Sequence, residues 1–198
     1  MYSPTPFDET CPALLQQLIA QHPLGTVIVN GADGLAADHI PFELGPATLD
    51  APLGVLRAHV ARANPLWRHD GETMVVFQGP SAYVSPSLYE EKQVSGKVVP
   101  TWNYAVVHAH GRLRAVEDAQ WLLALLERMT ATHEAARAAP WTVDQAPRAW
   151  IDKIMQAIVG IEIPVSRMQG KWKMSQNRTP QDQAMVAADT GLALYRRA

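Results

Sequence analysis

Apolar residues recur along this chain in two rhythms. Between Pro12 and Gln21, Leu14, Leu15, Leu18 and Ile19 form one stripe at helical spacing. Pro12 suits a first helical turn, Thr10 is placed to cap it, and Pro23 stops it. The rhythm then changes. Gly25 to Asn30 reads as a strand, Gly31 to Gly34 as a turn, and Leu35 to Leu44 as a partner strand that Pro41 places at an edge or a bulge. Further strands are expected at Gly54–Val60, Thr73–Gln78 and Tyr104–Val116, each β-branched or aromatic and bounded by Gly or Pro. Helical spacing returns from Asp118 to Glu134, with Trp121, Leu122, Leu125, Leu126 and Met129 on one face. A second helix is expected from near Asp144, where Thr142 and Gln145 have capping-box spacing and Trp150, Ile151, Ile154 and Met155 form the stripe. A long strand from Ala157 to Met168 then ends at Gly170, and Pro180 to Arg197 reads as a surface helix. The expectation is a mainly β, α+β protein: an antiparallel core with helices inserted between its later strands. Closing it into a barrel would remove the sheet edges. The 198 residues are read as one domain with an N-terminal helix and a C-terminal helical tail.

Composition narrows the class of function. At this length folding hides about 70% of the unfolded surface, so a real core is available. Hydrophobic residues make up 47% and charged residues 18%, a globular profile. Seventeen basic against nineteen acidic side chains leave a net charge of −2, without the basic excess that phosphate-neutralising nucleic-acid binders carry. A single cysteine, Cys11, excludes an internal disulfide and a four-cysteine zinc site. No signal-peptide pattern stands at the N-terminus and no apolar run reaches the ~20 residues that span a bilayer. A cytoplasmic protein with no membrane partner is the expectation.

No phosphate loop, dinucleotide fingerprint or nucleophile elbow is present. Cys11 beside Pro12 is better read as a tolerated thiol than as a nucleophile. His108 and His110 share one strand face, a workable chelate geometry, but nothing nearby supplies a third ligand, so no metal is expected. Three segments place polar and aromatic residues where simple alternation would not: His59–Trp67, with Arg62 and Asn64; Val99–Tyr104; and Gly170–Arg178. Each joins a cation or amide to a tryptophan. A phosphorylated aromatic ligand wants that mixture, with cations and hydroxyls for a dianionic phosphate, a flat wall for the ring and amides for its polar edge. Trp67, Trp102 and Trp172 read equally well as core anchors with polar turn caps around them.

The motifs carry a resemblance. Met1-Tyr-Ser-Pro, His59-Val-Ala-Arg-Ala-Asn-Pro-Leu-Trp67, Phe77-Gln-Gly-Pro80, Tyr83-Val-Ser-Pro86, Val99-Pro-Thr-Trp-Asn-Tyr104, Ile158-Val-Gly-Ile-Glu-Ile163 and Gly170-Lys-Trp-Lys-Met-Ser-Gln-Asn177 occur in order over most of the chain. In these the chain resembles the PaiB-like family of FMN-binding negative transcriptional regulators. The resemblance implies a split β-barrel like that of pyridoxamine-phosphate-oxidase-type flavoproteins, a homodimer, and FMN in the groove between subunits. It implies phosphate and ribityl contacts from Arg62, Asn64, Ser85 and Thr101, and flavin-ring or partner-subunit contacts from Trp102, Asn103, Lys171, Ser175, Gln176 and Asn177. The chain departs from the family pattern twice, with Ser81 where Gly-Pro is followed by His and Leu88 where Ser-Pro-Ser is followed by Trp. Neither a helix-turn-helix signature nor a basic recognition helix is visible. The most basic stretch, Lys171, Lys173 and Arg178, suits a bound phosphate better than DNA, so direct DNA binding is not expected and regulation would be indirect. An FMN-dependent oxidoreductase of the flavin-reductase type, or a groove holding another planar ligand such as haem, stays open as an alternative.

Overall fold

The computed structural model describes residues 1–192. Nine strands and five α-helices follow in the order β1 (Asp8–Glu9), α1 (Pro12–Gln21), β2 (Leu24–Gly31), β3 (Gly34–Pro41), β4 (Glu43–Gly45), β5 (Val55–Ala61), β6 (Glu72–Val84), α2 (Glu91–Val94), β7 (Thr101–Arg112), β8 (Arg114–Val116), α3 (Ala119–Glu134), α4 (Arg148–Met155), β9 (Ile158–Lys173) and α5 (Pro180–Thr190). The strand order is β3-β2-β6-β7-β9-β5-β4, with β1 and β8 also pairing with β9. The pairings β1–β9, β2–β3, β4–β5, β5–β9 and β8–β9 are antiparallel. The architecture is mainly β, and α3 and α4 are inserted ahead of the last strand as the periodicity predicts. Contacts divide the described chain into two compact units. One holds residues 1–22, 76–108 and 168 onward, the other 23–75 and 109–167, and β6, β7 and β9 contribute to both.

In the first unit α1 keeps its predicted bounds and buries Leu15, Leu18 and Ile19, while Leu14 faces outward. Thr10 does not cap it. Cys11 holds the cap position, and its N–H donates to Glu9 Oε1 at 2.9 Å. Two glycines that read as punctuation lie instead inside strands. Gly79 is within β6 and Gly170 within β9; a Cβ on Gly79 would come 3.0 Å from Leu18 Cδ1, and one on Gly170 would come 2.2 Å from Leu15 Cδ2. They admit the side chains of α1 against the backbone, so the strands run on where the sequence predicts an end. Trp172 is buried, Trp102 is exposed, and Val84, Tyr89 and Val186 form a small core with Leu88 packed against it. Thr179 caps α5, and Gly191 closes it in the left-handed conformation at φ 69°. The helix therefore ends at Thr190, and the rest of the segment expected to reach Arg197 lies outside the described residues from 193 on.

In the second unit β2 alternates buried and half-buried side chains, and Gly34 turns the hairpin at φ +100°. β3 is mostly exposed and ends the strand order, in keeping with Pro41. The single strand expected from Leu35 to Leu44 is two strands. The break falls at buried Phe42, whose N–H donates to the Pro23 carbonyl at 2.9 Å. Likewise buried Leu113 separates β7 from β8. Asp118 caps α3, accepting from the N–H groups of Gln120 and Trp121 at 2.7 and 2.9 Å. The Trp121 ring lies over Gly160, where a Cβ would sit 2.3 Å from it. The predicted capping box does not form. Thr142 makes no side-chain cap, Val143–Gln145 is a short 3-10 turn, and α4 starts at Arg148 after Pro147. Ile151 and Met155 bury against Leu122 and Val143, while Trp150 and Ile154 are exposed.

Candidate functional site

In the first unit the start of β7 and the end of β9 bring Thr101, Trp102, Asn103, Lys173 and Ser175 together. Lys173 Nζ donates to the Trp102 carbonyl at 2.8 Å and to Thr101 Oγ1. Buried Asn103 and Ser175 exchange two hydrogen bonds, at 3.1 Å from Nδ2 to Oγ and 3.2 Å from Oγ to Oδ1. Ser175 holds φ at 63°, a left-handed conformation that is costly outside glycine, and Asn103 fixes it there. Gln176 tightens the same turn: its Oε1 accepts from Met174 N–H at 2.7 Å and its Nε2 donates to the Trp172 carbonyl. Asn177 is exposed on that turn. Ser85 caps the short 3-10 turn Pro86–Leu88, its Oγ accepting from Ser87 N–H at 3.2 Å.

Positive charge collects here. Burial pulls the Lys173 ammonium below the ordinary lysine pKa, and the charges of Lys171 and Arg178 pull it lower still. The Arg178 guanidinium lies 4.3 Å from the Tyr89 ring centroid, and the Lys171 ammonium 5.5 Å from that of Tyr104. Such cation–π seats hold the charges without cancelling them. A dianion at this place would relieve the mutual repulsion and raise the Lys173 pKa. The Trp102 ring, 55% exposed and edge-on to Tyr83 at 6.1 Å between centroids, supplies a flat apolar surface beside the cations. Cations, a hydroxyl, amides and an aromatic wall are the donor set that a phosphorylated aromatic ligand requires, and FMN fits it.

Arg62 and Asn64 belong to the second unit and have internal partners. Arg62 donates to the carbonyls of Gln156 and Ile158 at 3.0 and 3.3 Å and pairs with Glu117 at 2.7 Å. Asn64 donates to Asp38 at 2.8 Å and accepts from Leu66 N–H. Arg62 also borders a cavity of about 290 Å³ with Glu117, Asp152, Leu122 and Met155. Trp67 is half-buried and donates to the Arg62 carbonyl at 3.0 Å. Of the two departures from the motif pattern, Ser81 is exposed and Leu88 packs against Val84, Tyr89 and Val186. Among the described residues no group of three His, Cys, Asp or Glu side chains could hold a metal ion. No described helix is long and apolar enough to cross a membrane. The residue-by-residue match assigns no contact to Lys173, Arg178 or Tyr83, although the basic stretch of Lys171, Lys173 and Arg178 already reads as suited to a phosphate, and Lys171 and Lys173 share one face of β9.

Residues 1–167 match the family described as "Putative FMN-binding domain"; the Lys171–Asn177 run lies beyond the matched stretch. The uncharacterized protein AN0679 of Emericella nidulans is 36% identical over 200 residues, covering 83% of this chain and 80% of the relative. The protease synthase and sporulation protein PAI 2 of Bacillus subtilis is 32% identical over 188 residues, covering 92% and 85%. Among solved structures, the flavocytochrome Anf3 of Azotobacter vinelandii aligns with a TM-score of 0.62 at 12% identity, over 90% of this chain and 75% of that one, and shows the shared fold. Strand order, inserted helices and this likeness define a split-barrel fold. The chain belongs to the PaiB-like FMN-binding family, and FMN is its cofactor.

Proposed function

We propose that the chain works as a homodimer that holds FMN beside β7 and β9 and acts in regulation through a protein partner rather than by direct contact with DNA. The observation that carries the placement is Lys173, held by Thr101 and Trp102 and crowded by Lys171 and Arg178. In this reading Lys173, Arg178 and Thr101 take the phosphate. Asn177 faces the polar parts of the ligand and Trp102 its flat ring, while the Asn103–Ser175 pair, Gln176 and Ser85 shape the adjoining turns. Bound FMN supplies two-electron redox chemistry, while the chain's own groups bind, orient and exclude water. Arg62 would have to release Glu117 to reach an anion, and Asn64 would have to release Asp38, so both enter as supports of their own unit. Homodimerisation is supported by Trp102, Tyr83 and Val99, apolar side chains left 50–68% exposed beside the site. The regulatory role is supported by the name of the Bacillus subtilis relative and its indirectness by the net charge of −2.

Sedimentation followed at the visible flavin band tests the reading. Flavin should travel with a species of twice the 21.7 kDa chain mass. Flavin moving as free ligand would overturn the cofactor site, and flavin on a species of single mass would overturn the dimer. A gel-shift titration with and without FMN, at moderate and high salt, addresses regulation. Tight, strongly salt-dependent binding to one DNA site would replace the indirect role with a direct one. Stoichiometric reduction by a nicotinamide donor with substrate-dependent reoxidation would make the protein an FMN-dependent oxidoreductase instead.

A further inference from the structure

The segment ahead of α1 holds two side chains whose surroundings are incomplete, and they are neighbours. The Tyr2 ring is 84% exposed, although its main chain is pinned: Lys171 Nζ donates to the Tyr2 carbonyl at 3.0 Å, and the same ammonium lies 5.7 Å from the Tyr2 ring centroid. β1 ties the segment to β9, with Asp8 opposite Lys171 and Glu9 opposite Gly170. A turn closes between Phe7 N–H and the Pro4 carbonyl at 2.8 Å. An aromatic ring left in water buries little apolar surface, so only the weak cation–π contact with Lys171 rewards its placement. Next to it Ser3 Oγ is buried without a hydrogen-bond partner, an omission that costs about 1–3 kcal/mol when left unmet. A planar ligand with a polar edge would cover the Tyr2 ring and meet the Ser3 hydroxyl once that hydroxyl turns out from its closed position, and the ammonium that pins Tyr2 is one of the three cations of the site.

We propose that Tyr2 and Ser3 form a wall of the flavin site, Tyr2 contacting the flat ring system and Ser3 its polar edge, with Lys171 fixing the wall in place. This gives a role to the Met1-Tyr-Ser-Pro run, which the remainder of the site does not use. The proposal rests on the assignment of FMN to this unit, and the test separates the two.

The full chain and its Tyr2→Ala, Tyr2→Phe and Ser3→Ala variants are titrated with FMN and with riboflavin, followed by flavin emission and absorbance. Because Tyr2 meets the ring and not the phosphate, Tyr2→Ala should weaken both flavins by the same factor, about 3- to 10-fold. Emission quenched in the wild-type complex should rise in Tyr2→Ala. Tyr2→Phe should restore affinity and quenching, and Ser3→Ala should weaken both flavins while leaving the quenching intact. The ligand-free Tyr2 variants should unfold at the wild-type temperature, since the Tyr2 ring buries little, and ligand-free Ser3→Ala at or above it, since the substitution removes an unmet buried hydroxyl. Wild-type affinity and emission in Tyr2→Ala would overturn the wall while leaving the flavin site standing. A loss confined to FMN would also overturn it, by assigning Tyr2 to the phosphate through Lys171. Failure of the wild-type chain to bind either flavin would overturn the site itself.

Discussion

Replacing Lys173 with methionine removes one ammonium and keeps most of the side-chain volume. Two of its N–H groups are spoken for, by the Trp102 carbonyl at 2.8 Å and by Thr101 Oγ1, which leaves one for a ligand. One charge-assisted hydrogen bond to a phosphate is worth about 1.5–3 kcal/mol, so FMN affinity should fall roughly 10- to 150-fold. Riboflavin lacks the phosphate and should bind the variant as it binds the wild type. The ligand-free variant should fold well, because losing two hydrogen bonds is offset by relief from burial and from the repulsion of Lys171 and Arg178. The same repulsion gives a pH signature. Lys173 loses its proton below the usual lysine value of about 10.4, so wild-type FMN affinity should decline as alkaline pH passes through that depressed pKa. Lys173→Arg should not show the decline, since a guanidinium stays charged. Calorimetric titration of both flavins across pH reads all of this. Equal losses of FMN and riboflavin in Lys173→Met would refute the phosphate role and leave Lys173 a structural residue.

Arg62→Ala strands Glu117 and two carbonyls at a partly exposed position and should cost about 1–2 kcal/mol in urea unfolding, with FMN and riboflavin affinities changed alike. A loss confined to FMN would instead give Arg62 to the phosphate. Ser175→Ala keeps the left-handed backbone and leaves Asn103 without its buried partner, so it should cost about 1–3 kcal/mol. Ser175→Gly should cost less, because glycine removes the backbone penalty; equal costs would show that φ stores no strain there. Burial lowers the His59 pKa, so between that value and about 6.5 the unfolded chain binds more protons than the folded one. Stability should therefore drop as pH falls through that window, and urea midpoints of His59→Asn should show a shallower drop; an unchanged slope would assign the acid sensitivity elsewhere, His110 being another histidine whose pKa burial lowers.

What the sequence revealed followed from local pattern, and what it hid followed from packing across distance. α1 was legible because Leu15, Leu18 and Ile19 repeat on one face between two prolines. The ends of β6 and β9 were not, because Gly79 and Gly170 look the same in a sequence whether they end a strand or make room beneath Leu18 and Leu15. The capping box at Thr142 has the right spacing, but Pro147 moves the helix start to Arg148. In the site, Thr101, Asn103, Lys171 and Ser175 stood out as misplaced polar residues in recognisable runs. The left-handed turn at Ser175 gave no sign, since its side chain is tied to Asn103, far away in sequence, as well as the turn being tightened locally by Gln176. Arg62 shows the opposite case: a cation in a telling motif proves to have Glu117 and two carbonyls as partners, which no local pattern announces.

The claim that this unit holds FMN is met most directly by one spectrum. The full chain is mixed with excess FMN, freed of unbound ligand by desalting, and scanned through the visible range. The account predicts flavin bands that remain with the protein at one flavin per chain, shifted or structured relative to free FMN by the aromatic surroundings of Trp102. A colourless protein after desalting would contradict it.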